Sequence, residues 1–195
     1  RRTLWGDKHG SKVNCLISDP DRNNIFVGII EKFYESGRNS LIVSDNVMHL
    51  QHMMDLCEKA GVPRSVMGQF TSQTHSYIPD QKAKGGKKLV KAKRTKEELD
   101  YVKENSQLIF ATYGMISEGI DIPRLDSGVD LTPRWEATQL IGRIRRPMPN
   151  KKESIWLTML DVNCGMSNAY FKLRIKDYAA TQAEVIYKAL NHGKT

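Results

Sequence analysis

Apolar positions along this chain follow two patterns. Ile25, Ile29 and Phe33 recur four apart behind Asp19-Pro20, and Gly37 follows them. That predicts a helix capped by Asp19, opened by Pro20 and stopped by Gly37. Val47, Leu50, Met54 and Cys57 give the buried stripe of a second helix, with Asp45 as its expected cap and Gly61 as its end. Between the two, Ser40-Leu41-Ile42-Val43 is a short unbroken apolar run, the pattern of a strand covered on both faces. Leu108-Ile109-Phe110-Ala111 and the run from Ile155 to Leu160 repeat it, and Ser127–Leu131 and Ser65–Met67 are weaker examples. Thr95 and Glu98 have the spacing of a capping box opening a helix to Glu104. Two further helices are expected over Trp135–Ile144 and Ala169–Leu190, the second with Tyr170, Leu173, Tyr178 and Ile186 as packing positions.

Strands and helices alternate, and the strands are apolar on both faces. This predicts an α/β fold with a mostly parallel sheet covered by helices. Residues 69–94 show little periodicity and contain Pro79, Gly85 and Gly86, so a long loop is expected there. Residues 1–18 show no clear element before Asn14–Ile17 and read as a linker from something upstream.

Length and charge narrow the class. The chain has 195 residues, enough for one domain with a small appendage. No apolar run reaches the roughly 18 residues of a membrane span, and the start of the chain lacks the apolar stretch of a signal peptide. Cys15, Cys57 and Cys164 are too few and too scattered for a disulfide framework, which points to reduced thiols in a cytoplasmic compartment. His49, His52 and Cys57 do not match a zinc spacing and read as part of a polar helix face. The formal net charge is +8. Lys82, Lys84, Lys87, Lys88, Lys91, Lys93, Arg94 and Lys96 crowd into residues 81–96, which hold no Asp or Glu. The excess therefore lies in one short segment and the rest is neutral, suggesting a local contact with a polyanion.

Two segments carry candidate chemistry. In Gln139-Leu140-Ile141-Gly142-Arg143-Ile144-Arg145-Arg146, Arg143 and Arg146 are three apart and share a helix face, with Gln139 one turn earlier. Two guanidiniums on one face suit a phosphate chain; a solvated basic helix end has the same spacing. The segment from Ala111 to Pro123 leaves the C-terminal end of a strand, where open parallel sheets bind ligands. Thr112 and Gly114 can offer a hydroxyl and backbone N–H groups to a phosphate, and Asp121 can accept from a ribose hydroxyl. An ordinary strand-to-helix loop, with Gly119 at a positive φ, has the same composition.

Together and in this order, these segments resemble the second motor domain of superfamily-2 helicases. Ala111-Thr112 with Glu118-Gly119-Ile120-Asp121-Ile122-Pro123 is similar to the family's fifth motif, Gln139–Arg146 to its sixth, and Leu41-Ile42-Val43-Ser44 to its fourth. The Gln-type sixth motif is similar to that of phage and restriction or repair helicases. The resemblance covers about Asp21 to Leu160. It implies a RecA-like three-layer α/β/α domain over 19–165, with a basic insertion at 69–94 and a helical extension at 166–195. It also implies that Arg143 and Arg146 act as arginine fingers on ATP, with Gln139, Gly119 and Asp121 near the nucleotide. Ser44, Asn46, Thr112 and Gly114 would face the nucleic acid, with DNA favoured over RNA. The lysine-rich segment, Lys82, Lys84, Lys87, Lys88, Lys91, Lys93 and Arg94, would add a flexible arm on the phosphate backbone, with Phe70 and Tyr77 near enough for base stacking. Trp135 reads as a packing anchor.

The departures matter as much. Nothing fits Gly-x-x-x-x-Gly-Lys-Ser/Thr, and Gly85-Gly86-Lys87-Lys88 lacks the first glycine and the hydroxyl residue. No acidic box for magnesium follows the family pattern. ATP and Mg would therefore be held mainly by a first motor domain of the same polypeptide, and this chain alone is expected not to hydrolyse ATP. Two other readings stand beside it: a nucleic-acid-binding module without a motor role, and a phosphate-binding α/β enzyme of another kind.

Overall fold

The computed structural model describes residues 9–80, 82, 86–118, 121–136 and 138–189. Seven α-helices among these are α1 (His9–Ile17), α2 (Pro20–Glu35), α3 (Val47–Lys59), α4 (Lys96–Asn105), α5 (Tyr113–Ser117), α6 (Thr138–Ile144) and α7 (Gly165–Ala180). The strands are β1 (Ser40–Ser44), β2 (Met67–Phe70), β3 (Gln73–Pro79), β4 (Lys87–Lys93), β5 (Leu108–Thr112), β6 (Ser127–Asp130) and β7 (Ile155–Thr158). Five strands form one sheet in the order β2-β5-β1-β6-β7, and every pairing in it is parallel.

Side chains alternate across this sheet, and each face meets its own helices. Ile42, Phe110 and Val129 point to one side and pack on Phe26 and Ile30 of α2 and Leu50 and Met53 of α3. Leu41, Val43, Ile109 and Ala111 point to the other, against Val102 of α4, Ile116 of α5 and Leu140 and Ile144 of α6. The result is the three-layer arrangement expected from the alternation. Each fully buried Leu, Ile or Phe contributes about 1.5–3 kcal/mol of transfer free energy, so the two clusters dominate the fold.

Local signals behave as physical chemistry requires. Asp19 accepts from the N–H groups of Asp21 and Arg22 at 3.0 and 3.2 Å, and Pro20 opens α2. Gly37 closes that helix with φ of 63°. Thr95 and Glu98 make the reciprocal capping box of α4. The cap of α3 is Asn46 rather than Asp45: its Oδ1 accepts from Met48 and His49 at 2.8 and 3.2 Å. Asp45 instead forms an ion pair with Arg134 at 2.9 Å.

Four expectations about elements are corrected. Residues 69–94 are not one long loop: β2 ends in them, and β3 and β4 pair antiparallel as a hairpin. The hairpin has no buried face, so its sequence carries no apolar alternation to reveal it, and backbone bonds set the register. Residues 9–17 form α1, whose Val13 and Leu16 pack on Cys164 and Met166 beside α7. The last helix stops at Ala180, and Thr181–Lys188 carries no regular element. The expected helix from Trp135 starts only at Thr138, and Trp135 is 52% exposed, not a packing anchor.

Candidate functional site

All five strands of the main sheet run parallel, so their C-terminal ends lie along one edge. In open α/β sheets ligands bind outside that edge. The chain leaves β1 into Asp45 and Asn46, β5 into Thr112–Gly114, β2 into the hairpin, and β6 into Thr132–Arg134. Because β5 lies between β1 and β2, Asn46, Thr112 and the hairpin base come from three adjacent strands.

Internal bonds knit this edge. The Tyr113 hydroxyl donates to the Thr132 carbonyl at 2.8 Å, and the Asp45 N–H donates to Thr132 Oγ1 at 3.0 Å. Arg134 lies 4.8 Å above the Tyr113 ring while its guanidinium pairs with Asp45. Burial and the Asp130 carboxylate push the Tyr113 hydroxyl well above its ordinary range, so it stays a donor. Thr112 is half-buried at the start of α5, with no side-chain cap bond. Gly114 is exposed, and a Cβ there would meet nothing within 4 Å.

The two motif segments come together. Arg146 forms an ion pair with Asp121, and Arg143 Nη2 donates to the Ile116 carbonyl of α5 at 3.4 Å. The backbone of Arg146 is held as well, since Lys151 Nζ donates to its carbonyl at 2.7 Å. Arg145 turns the other way and donates to the Thr181 carbonyl after α7. Leu140, Ile141 and Ile144 are the buried stripe of α6, which leaves Gln139 and Arg143 off the core; α6 ends at Ile144, so Arg146 lies beyond the helix rather than on a helix face shared with Arg143. Arg143 and Arg146 are half-buried, and Asp121 is 66% exposed. An exposed carboxylate holds an arginine loosely, because solvent screens the attraction. Such guanidiniums can be transferred to a phosphate.

Several expected site residues sit elsewhere. Ser44 is fully buried, and its hydroxyl meets His49 Nδ1 at 3.1 Å and accepts from the Asn46 N–H at 3.2 Å. It faces the interior and is not available to a nucleic acid. Phe70 is 4% exposed beneath Lys103, so it offers no stacking surface. Gln139 is exposed at the first turn of α6. Gly119 and Lys84 lie outside the described residues. Lys82 belongs to the hairpin turn, where its N–H donates to Asp80 Oδ1 at 2.9 Å. Lys87, Lys88, Lys91 and Lys93 are all exposed on β4, on an ordered strand rather than a loose arm. Arg94 is half-buried and donates to Gln69 Oε1 at 3.4 Å.

Sequence reasoning missed one buried constellation. Asp130, at the end of β6, accepts from Trp156 Nε1 at 3.0 Å, from Thr158 Oγ1 at 2.7 Å and from Arg174 of α7. A charged residue ending an apolar strand was the available signal. Among the described residues no group of three or more His, Cys, Asp or Glu could hold a metal ion. Among them, too, no helix is long and apolar enough to cross a membrane.

A parallel sheet sandwiched by helices, with Arg143 of α6 and Arg146 just beyond it gathered against the segment that follows β5, is a RecA-like α/β arrangement. Comparison with known proteins agrees at the level of fold. No protein-family model matches the chain. A protein of Acanthamoeba polyphaga mimivirus, assigned by inference as an ATP-dependent RNA helicase, is 23% identical over 142 residues, 73% of this chain and 23% of that protein. Bacteriophage T4 UvsW superposes with a TM-score of 0.57 at 17% identity, over 90% of this chain and 35% of UvsW. The C-terminal part of the Fun30 ATPase domain superposes with a TM-score of 0.55 at 8% identity, over 84% of this chain and 49% of that one. The chain thus spans about a quarter of the curated relative it matches.

Proposed function

We propose that this chain is the second motor domain of an ATP-dependent helicase or translocase. One observation carries the reading: Arg146 and Arg143 are gathered against the 111–123 segment, by the ion pair to Asp121 and the bond to the Ile116 carbonyl. In this role the two arginines stabilise the charge that develops on a transferring γ-phosphate. Gln139 lies on the same side of α6. Asp121 holds Arg146 at rest and exchanges it for the nucleotide. The described residues fit the anionic end of ATP but offer no cluster for magnesium. In this reading ATP and Mg are held mainly by a first motor domain of the same polypeptide, and this chain adds the arginines.

The nucleic-acid track runs along the strand exits, over Asn46, Thr112 and Gly114, and out along the lysines of β4. The expected preference for DNA over RNA is not carried forward, since the mimivirus relative is named for RNA. A non-enzymatic binding module is the second reading, favoured by one observation: the lysines are carried on a separate two-stranded hairpin rather than on the main sheet. Nucleic-acid-stimulated ATP hydrolysis by the full-length polypeptide separates the two. Stimulation that depends on Arg146 supports the motor. Binding with no ATP turnover supports the module.

A further inference from the structure

The hairpin does more than carry charge. In an antiparallel pair, directly opposed residues point to the same side. His75 opposes Lys91, Tyr77 opposes Leu89, Gln73 opposes Lys93 and Pro79 opposes Lys87. Three of the four β4 lysines therefore share a face with His75 and Tyr77, and only Lys88 is on the other. His75, Ser76 and Tyr77 of β3 line a cleft of about 390 Å³ together with α3, within the range of small-ligand sites.

The cleft walls are mixed in a specific way. Tyr77 from β3 and Met48 from α3 supply flat apolar surface, and Tyr77 is 57% exposed. Gln51, His52 and His75 supply polar edges. Gln51 carries a buried Oε1 with no hydrogen-bond partner, a condition that costs free energy until a donor arrives. Asp55 is already paired with Arg64 at 3.0 Å, so the carboxylate in the lining does not repel an anionic strand unscreened. Partial burial and the charge of Lys91 hold the His75 imidazole below its ordinary pKa, which leaves a neutral ring with one donor and one acceptor.

We propose that the cleft between α3 and the hairpin binds an unpaired nucleobase of a single strand, stacked on Tyr77 and read along its edge by Gln51 and His75. Lys91 and Lys93, beside it on the same face, take the flanking phosphates. This rests on the nucleic-acid track proposed above and adds a base-contacting station to it. A phosphate-only surface has no use for an exposed tyrosine over a polar cleft, whereas aromatic stacking is tolerant of base identity and suits a protein that moves along a strand.

The test compares single-stranded oligonucleotides of roughly twelve nucleotides, in DNA and RNA forms, with abasic oligonucleotides of equal length and charge. Affinities for the chain are read by fluorescence anisotropy across a salt series. The expected result is that Tyr77→Ala weakens binding of the base-carrying strand about tenfold, down to the abasic level. It leaves abasic binding and the salt slope unchanged, and Tyr77→Phe restores affinity. Lys91→Ala should lower the salt slope by about one for both strands. The proposal is overturned if Tyr77→Ala changes neither affinity, or both equally, while the strand still binds. If no oligonucleotide binds the unmodified chain, the nucleic-acid track falls with it.

Discussion

Arg174 of α7 and Asp130 at the end of β6 form an ion pair in which both side chains are 1% exposed. Asp130 also accepts from Trp156 and Thr158, so its carboxylate is fully engaged. The carboxylate of Asp130 raises the Arg174 pKa against the opposing effect of burial, and the guanidinium remains charged. The pair fastens the last helix to the sheet.

Removing one partner of such a pair leaves the other buried and uncompensated. Arg174→Ala is expected to destabilise the chain by about 3–5 kcal/mol, measured by denaturant unfolding at neutral pH. The double variant Arg174→Met with Asp130→Asn should lose much less, because no charge is stranded. Trp156, bonded to Asp130, reports the transition by fluorescence.

His49 makes stability depend on pH. It is 3% exposed, and its Nε2 lies 3.1 Å from Asn23 Oδ1, which can only accept, so the ring proton sits on Nε2. Burial, aided by the Arg22 charge, lowers its pKa from 6.5 to about 3. The folded state thus binds fewer protons than the unfolded state between those values. Its stabilising effect is complete above pH 6.5 and is lost as pH falls toward 3. At pH 4.5 the loss is on the order of 2–3 kcal/mol. Carboxylates titrate in the same window, so the check is the difference in unfolding free energy between the native chain and His49→Gln at pH 7 and pH 4.5. That difference should shrink on acidification.

How much of this was legible follows from burial. Ser40–Ser44 and Leu108–Thr112 announce themselves because both faces of each strand must be apolar. The sheet was therefore readable; the contacts of Arg143 and Arg146 with the 111–123 segment were not, because they join groups roughly 25 residues apart. The β3–β4 hairpin was not, because an exposed ribbon needs no apolar period. Ser44 misled for the opposite reason. A serine after a strand looks like a surface hydroxyl, and only the packing of α3 and α2 shows that it serves His49. Asn46 took the cap from Asp45 because Arg134, 89 residues further on, claims the aspartate. That long-range competition leaves no local trace.

Gly128 of β6 is required by the Trp156 indole beside it. A Cβ at position 128 would overlap that ring and come within 2.9 Å of the Leu41 carbonyl, which is fixed in β1. Trp156 cannot retreat without giving up its bond to Asp130. Gly128→Ala should cost about 1–3 kcal/mol by overpacking. Thermal unfolding compared with Gly114→Ala, where the space is open, separates crowding from any general intolerance of side chains at glycines.

The lysines of one hairpin face should act additively and without regard to sequence. Lys87, Lys91 and Lys93 are exposed and oppose Pro79, His75 and Gln73, so none relies on a carboxylate across the ribbon. Replacing all three with Gln should lower the slope of log affinity against log salt by roughly two to three for single- or double-stranded nucleic acid. The fold should be unchanged, since their side chains bury nothing. Replacing Lys88, on the other face, should change the slope much less. Equal effects from the two faces would mean that the ribbon binds edge-on rather than by the Tyr77 side.

Arg146 decides the motor reading. Its guanidinium pairs with Asp121, a carboxylate two-thirds exposed, while its backbone carbonyl accepts from Lys151. A side chain anchored at its root and lightly held at its tip is suited to reach an incoming phosphate. In the full-length polypeptide, Arg146→Ala should lower nucleic-acid-stimulated ATP hydrolysis by about 10³-fold. Nucleic-acid affinity should not change, because the lysine face is elsewhere. Arg146→Lys should rescue little, since an ammonium lacks the planar fork that grips two phosphate oxygens. Arg145→Ala is the internal control: that arginine is spent on the Thr181 carbonyl, so its loss should leave turnover near the native rate. A native rate for Arg146→Ala would remove this arginine from the reaction and leave the binding-module reading in its place.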